Sequence, residues 1–260
     1  MSGRLRAIAH ETVSIVERGG YGSVRFAGEV ERAVAGTRLH LPGDELPAPS
    51  PVAGAPVVEV TGESTLAAAR RLGDDAVALN FASARNPGGG FRNGAQAQEE
   101  SLARSSALYP CLRAAGDFYA YHRANRGLLY TDRVIYSPRV PVFRDDRGAL
   151  LTEAYPVSFL TAAAPNRAMI VRDQPELLPS VAGALARRAR RILRVAAAHG
   201  HRDLVLGAWG CGVFGNAPAE VAQVFADALR ESPWFERVVF AVLDRRAEVR
   251  EAFRACFPTQ

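Results

Sequence analysis

Two glycine-rich segments, each directly after a short and almost wholly apolar run, constrain this chain more than any other feature. The first run, Ala76-Val-Ala-Leu-Asn80-Phe81, leads to Asn86-Pro87-Gly88-Gly89-Gly90. The second, Leu204-Val-Leu-Gly207, leads through Trp209 to Gly210-Cys211-Gly212-Val213-Phe214-Gly215-Asn216. A short apolar run bounded by turn residues reads as a strand covered on both faces. Strands of that kind build α/β sheets, whose ligands sit outside the carboxyl ends of the strands. Glycine there removes side chains and admits unusual φ/ψ, so main-chain N–H groups can close around an anion. A helix start after each loop adds free N–H groups and a favourable dipole. Two such loops could hold a diphosphate between them. A P-loop is excluded because the chain has no lysine, and neither loop has G-x-G-x-x-G spacing with a placed acid after it.

The remaining pattern predicts the elements around the loops. A helix is expected over residues 4–18, stopped by Gly19-Gly20, then an irregular stretch to Val57 whose later part is proline-rich. Residues 57–60 read as a strand, and Thr61 and Ser64 can cap a helix running to Gly73. A helix follows the first loop over about 98–112. Edge strands are expected within 131–136 and 140–143, and another strand at 156–160. A long helix over 177–199 precedes the second loop. A helix over 217–230, a strand over 238–243 and a helix over 247–255 follow it. This alternation implies an α/β fold with a mixed or parallel sheet between helices. One structural domain is expected, with residues 1–56 as an extension packed on a core of residues 57–260.

Seven residues separate Gly90 from Gln98-Glu99-Glu100, at the expected start of a helix. Adjacent helical positions point about 100° apart, so the two carboxylates cannot do the same job. Acids there also complement the helix dipole, and the residues alone leave that bland role open. Neighbouring glutamates cannot straddle a sugar as a glycosidase pair does, with carboxyls about 5 to 9 Å apart. In glycoside chemistry, one would have to act alone as acid and then base while the other holds substrate. A helix N-terminus favours carboxylate charge, whereas a general acid needs its proton. A bound diphosphate and exclusion of water would restore the balance toward the acid.

Charge and the metal-binding residue types narrow the chemistry further. The net charge of +5 comes entirely from arginine and favours an anionic polymer. The arginines are scattered, so direct nucleic-acid binding is not expected. Their one dense run, Arg187-Arg188-Ala-Arg190-Arg191-Ile-Leu-Arg194, fits one solvated side of a long helix. Cys111, Cys211 and Cys256 lie far apart with no Cys-x-x-Cys pair and read as packing residues. The five histidines look unclustered, and His199 and His201 suit a helix end better than a metal site. No metal and no cofactor are expected. No run of 18 uncharged apolar residues occurs, and the first residues lack a signal h-region, so a cytosolic chain is expected.

The triple glycine, seven residues and then Gln98-Glu99-Glu100 resembles the signature of poly(ADP-ribose) glycohydrolases. The longer run from Leu79 to Gly90 is similar to the shorter, bacterial-type branch of that family. The segment Gly210-Cys-Gly-Val-Phe-Gly215 resembles the second phosphate-binding loop of macrodomains, the fold this family uses. The resemblance implies a three-layer α/β/α macrodomain-like fold with a mixed central sheet. It implies that Glu100 protonates the oxygen leaving the ribose–ribose bond and then activates water. Glu99 would accept from ribose hydroxyls, and Gln98 would support the loop. Ala82, Asn86, Gly88, Gly89, Gly90, Gly210, Gly212, Val213, Gly215 and Asn216 would line the ADP-ribose site, with Phe214 packed on the terminal ribose. The implied partners are poly(ADP-ribose) and poly(ADP-ribosyl)ated proteins, with ADP-ribose as product and the chain acting as a monomer.

The larger animal-type members carry an asparagine two residues after the strand-ending phenylalanine, where Ser83 stands here. Their long accessory regions are also absent, and both departures favour a compact enzyme with looser control of mid-chain substrate. Cleavage from the polymer end is the expectation, with a helix near the N-terminus able to cover the 2′-hydroxyl of the adenine-side ribose and block internal cutting. Two other readings fit the glycine loops: a macrodomain that binds ADP-ribose without cleaving it, and a hydrolase of single ADP-ribose units on proteins. The acidic pair favours the polymer hydrolase, because a binder gains nothing from a carboxylate beside an anionic ligand.

Overall fold

A computed structural model describes residues 2–244 and 246–257. The chain opens with α1 (Gly3–Arg18), whose first turn is capped by the Ser2 hydroxyl and which ends at Gly19 in the left-handed conformation. A small antiparallel ribbon, β1 (Gly20–Tyr21) and β2 (Val24–Arg25), leads to α2 (Ala27–Gly36) and β3 (Arg38–His40). The core continues with β4 (Val57–Thr61), α3 (Thr65–Leu72) and β5 (Val77–Phe81), then α4 (Gln98–Ser105), α5 (Leu108–Ala114) and α6 (Gly116–Ala124). The long strands β6 (Val134–Arg144) and β7 (Leu150–Ala162) are followed by α7 (Arg167–Asp173) and α8 (Val181–Ala198). The chain closes with β8 (Asp203–Leu206), α9 (Pro218–Arg230), β9 (Arg237–Ala241) and α10 (Ala247–Cys256).

Seven strands form one mixed sheet in the order β3-β6-β7-β5-β8-β9-β4. The pairs from β7 through β4 are parallel, while β6 runs antiparallel to both β7 and β3. Successive side chains of a strand point to opposite faces, and the buried residues follow that rule. Val77 and Leu79, Leu204 and Leu206, Val238 and Phe240 enter one core with α8, α9 and α10. Ala78, Val205 and Val239 enter the other, with α3, α5 and α6. The expected three-layer α/β/α arrangement with a mixed sheet is therefore what forms. Among the described residues, no helix is long and apolar enough to cross a membrane.

Several elements depart from expectation. The stretch expected to be irregular before residue 57 contains the ribbon, α2 and β3, and β3 supplies an edge of the main sheet. These pieces are short, and α2 buries only Ala33, so periodicity had little to register. The single helix expected over 98–112 is two helices. At the break, Ser106 is extended, its hydroxyl donates to Leu102 O at 2.7 Å and accepts from Leu108 N at 3.2 Å, and Ala107 N reaches Pro141 O. A serine that bonds neighbouring main chain competes with the helix in this way. The two strands expected within 131–143 are one strand, carried past Pro138 by a register shift with Arg139 at φ 43°.

The arginine run and the histidines also differ from expectation. Arg188 is fully buried, because the helical period puts it on the stripe of Val181, Ala184, Leu185, Ile192 and Val195. Two of the five histidines contact Tyr136, and a third joins them through His199. His199 stacks on its ring at 3.6 Å, His201 Nε2 accepts from its hydroxyl at 2.9 Å, and His40 Nε2 meets His199 Nε2 at 2.9 Å. Burial pushes His199 down to about 4. Among the described residues no group of three His, Cys, Asp or Glu side chains has a metal-binding arrangement.

Candidate active site

β5 and β8 are parallel neighbours, so the two glycine loops emerge side by side at the carboxyl edge of the sheet. The carbonyl of Ala162, at the end of β7, ties them together. It accepts from Ala82 N at 3.2 Å and from the buried indole of Trp209 at 3.0 Å. Ala82, Asn86, the triple glycine, and residues 210–216 thus fall at one edge.

The first loop turns sharply. Gly89 N donates to Asn86 O at 3.0 Å, and Gly88 and Gly89 take φ values of 70° and 58°. Only glycine adopts that left-handed conformation routinely. α4 starts directly beneath this turn. Gln98 fastens it: Oε1 accepts from Phe81 N at 2.9 Å, while Nε2 donates to Leu79 O at 2.8 Å and Thr65 Oγ1 at 3.1 Å. Its side chain therefore faces β5 and α3.

The two glutamates diverge as adjacent helical positions must. Glu99 is 3% exposed. Its Oε2 accepts from Ser83 N at 2.6 Å and its Oε1 from Asn80 Nδ2 at 3.4 Å. Burial pushes its carboxyl up to about 8, against the pull of those donors and with help from the neighbouring Glu100 charge. Glu100 is half-buried, and its Oε1 accepts from Gly90 N at 3.0 Å. One glutamate belongs to the floor; the other reaches the glycine loop itself.

In the second loop, Gly210 and Gly215 adopt positive φ, and a Cβ on Gly210 would lie 2.5 Å from Ala164 Cβ. The buried Asn216 clamps the loop, its Nδ2 donating to Pro165 O at 2.9 Å and Gly210 O at 3.1 Å. Gly212 is exposed and Val213 is 85% exposed at the tip. Phe214 is half-buried. Its carbonyl accepts from Ala168 N at 2.9 Å, and its ring lies 6.1 Å from that of Tyr130, itself at φ 56°.

Sequence reasoning did not single out Ser83 N, Asn80, Tyr119 or Tyr130 as parts of this site. Asn80 is a polar residue inside an otherwise apolar strand, and that was the one available signal. It is fully buried, donating to Thr161 Oγ1 at 3.1 Å as well as to Glu99. Among the described residues the buried Tyr119 hydroxyl has no hydrogen-bond partner, and burial together with the Glu99 charge pushes it well above its usual range.

A glycine cradle with one carboxylate at its lip can bind a diphosphate and move a proton at the sugar beside it. Comparison with known proteins bears on which molecule that is. Residues 9–145 match the family described as the microbial-type PARG catalytic domain. No curated protein sequence matches. Among solved structures, a poly(ADP-ribose) glycohydrolase from Thermomonospora curvata is 50% identical with a TM-score of 0.91, over 98% of this chain and 100% of that one. The same enzyme bound to the inhibitor ADP-HPD is 49% identical with a TM-score of 0.89, over 98% and 100%. The enzyme from Deinococcus radiodurans in complex with ADP-ribose is 45% identical with a TM-score of 0.81, over 88% and 97%.

Proposed function

The chain belongs to the microbial-type poly(ADP-ribose) glycohydrolase family, and from that premise we propose that Glu100 is the single acid–base group of its reaction. The fold is macrodomain-like, and the activity is hydrolysis of poly(ADP-ribose) to ADP-ribose. In the proposed reaction, the main-chain amides of the two glycine loops hold the pyrophosphate of the terminal unit. Glu100 donates its proton to the oxygen leaving the ribose–ribose bond as the C–O bond breaks toward an oxocarbenium-like centre. It then takes a proton from water as that water attacks the same carbon. Free ADP-ribose results, the shortened polymer keeps its hydroxyl, and Glu100 is protonated again.

The observation that carries this assignment is the contrast between the two glutamates. Glu100 meets Gly90 N at the loop lip, whereas Glu99 is sealed below it. Glu99 is held by Ser83 N and Asn80, and the small part of it left exposed would bond a ribose hydroxyl and steady the sugar. Phe214 would form the wall against which the terminal ribose packs.

Cleavage from the polymer end belongs to the same proposal. The start of α1 packs on the turn that follows the triple glycine, with Ser2 N donating to Gly94 O at 3.2 Å. A Cβ on Gly94 would meet Ser2 O at 2.4 Å. In this proposal α1 would block the path of an internal segment past the loop.

The test is incubation of Glu100→Gln and unaltered protein with an automodified polymerase. Loss of one positioned acid–base group costs roughly 10²- to 10⁴-fold in turnover, with ADP-ribose affinity nearly kept. Near-normal turnover in the variant would remove Glu100 from that role. Oligomers released before monomer would refute cleavage from the end.

A further inference from the structure

The arginine run of α8 builds something its burial pattern alone does not explain. Arg187, Arg190, Arg191 and Arg194 follow the i, i+3, i+4, i+7 spacing of one helix face and line a cleft of about 370 Å³. Their Cα atoms span about 10 Å along the axis. Trp234, after α9, forms the facing wall, with Arg194 Cζ 5.5 Å from its ring centre. Two carboxylates share the cleft. Asp132 pairs with Arg187 at 3.3 Å, and Glu231 pairs with Arg190 at 2.6 Å. Arg191 and Arg194 bond only main-chain carbonyls there, Arg191 those of Leu41 and Asp44 and Arg194 that of Leu46. Among the described residues Arg191 Nε is buried with no hydrogen-bond partner, while the charges of Asp44 and Asp132 act on its guanidinium. Four guanidiniums thus line a cleft that holds the carboxylates of Asp132 and Glu231, with Asp44 close by.

We propose that this cleft is a second binding site for poly(ADP-ribose), taking the pyrophosphate and adenine of a unit remote from the one being cleaved. The identity of the polymer rests on the hydrolase reading above. Guanidinium forks match phosphate oxygens, and an indole face stacks a purine base. The two adjacent charges of a pyrophosphate suit guanidiniums crowded within two helical turns. A nucleic-acid strand spaces its charges singly and asks for a longer basic track, which Asp132 and Glu231 interrupt.

The cleft is also joined to the active site. Asp132, at its edge, bonds the buried Arg188 at 3.1 Å, and Arg188 in turn donates to Ala163 O and Leu129 O. Those carbonyls neighbour Ala162, which ties the two glycine loops, and Tyr130, which faces Phe214. Arg188 of α8 thus links the edge of the cleft to the segments beside the catalytic loops.

The experiment compares R187Q/R190Q with the unaltered protein on long poly(ADP-ribose) and on a substrate of two ADP-ribose units. Both arginines replaced are exposed, and pairs made by such side chains contribute little to stability. The KM for long chains is expected to rise about three- to tenfold, with the two-unit substrate changed by less than about twofold. Equal effects on the two substrates, or none on either, would overturn the proposal. A second measurement follows binding of a labelled long chain to Glu100→Gln with and without the added pair, against single-stranded DNA of equal phosphate count as competitor. Weaker polymer binding in the triple variant with poor competition by DNA supports the site; competition as strong as that by the polymer refutes it. If the hydrolase reading itself were wrong, the unaltered protein would release no ADP-ribose from either substrate.

Discussion

Gly89 and Glu100 occupy the same corner of the molecule: a Cβ built on Gly89 would lie 2.3 Å from Glu100 Oε1 and 3.2 Å from Glu99 Oε2. The middle glycine of the triplet is thus required twice, by its φ of 58° and by the carboxylates packed against its bare face. The signature glycines and the signature acids are one contact.

Gly89→Ala tests that contact. The left-handed backbone costs about 1–2 kcal/mol in a residue with a Cβ. The methyl also pushes Glu100 off Gly90 N, and a misplacement near 1 Å costs about 100-fold in rate. We expect a fall of that order in kcat with a small drop in melting temperature. Full activity would show that the carboxylate is not held by this packing.

Phe214→Ala should lower kcat more than it weakens ADP-ribose binding, because the ring orients the sugar while the amides hold the phosphates. Turnover and product affinity measured side by side will decide. An unchanged rate would take Phe214 out of the mechanism.

Glu99 links the site to pH. Its folded-state carboxyl is pushed up to about 8, so the folded protein holds a proton that the unfolded chain has released. The stability tied to that proton is full below the ordinary carboxyl range and is lost as pH rises through about 8. Glu99→Gln removes this dependence. Urea unfolding should show the stability of the variant relative to the unaltered protein growing as pH rises across that window. A constant difference would mean that Glu99 is already charged in the folded state.

Arg188→Ala should destabilise the protein by about 3–5 kcal/mol, since it breaks a buried ion pair and strands the carbonyls of Ala163 and Leu129. Arg190→Ala, an exposed position on the same helix, should leave stability nearly unchanged. Equal effects in denaturant would contradict the distinction between the two arginines.

Much of the scaffold was legible in the chain because its signals are local. The apolar runs at 76–81 and 204–207, the Ser64 cap, and the glycines at both loops each act within a few residues, and the elements appear where those residues predict. The short pieces between residues 19 and 40 were not legible. β3 is three residues long and exists by pairing with β6, almost a hundred positions away.

The sequence by itself determined that two glycine loops end two buried strands and that a pair of acids opens the next helix, since turn chemistry and helical period are properties of neighbouring residues. Tertiary structure alone decided which glutamate is sealed and which reaches the loop, and that His199 and His201 meet at Tyr136 with His40 joined through His199. Burial and long-range partners set those outcomes, and neither is encoded in the spacing of adjacent residues.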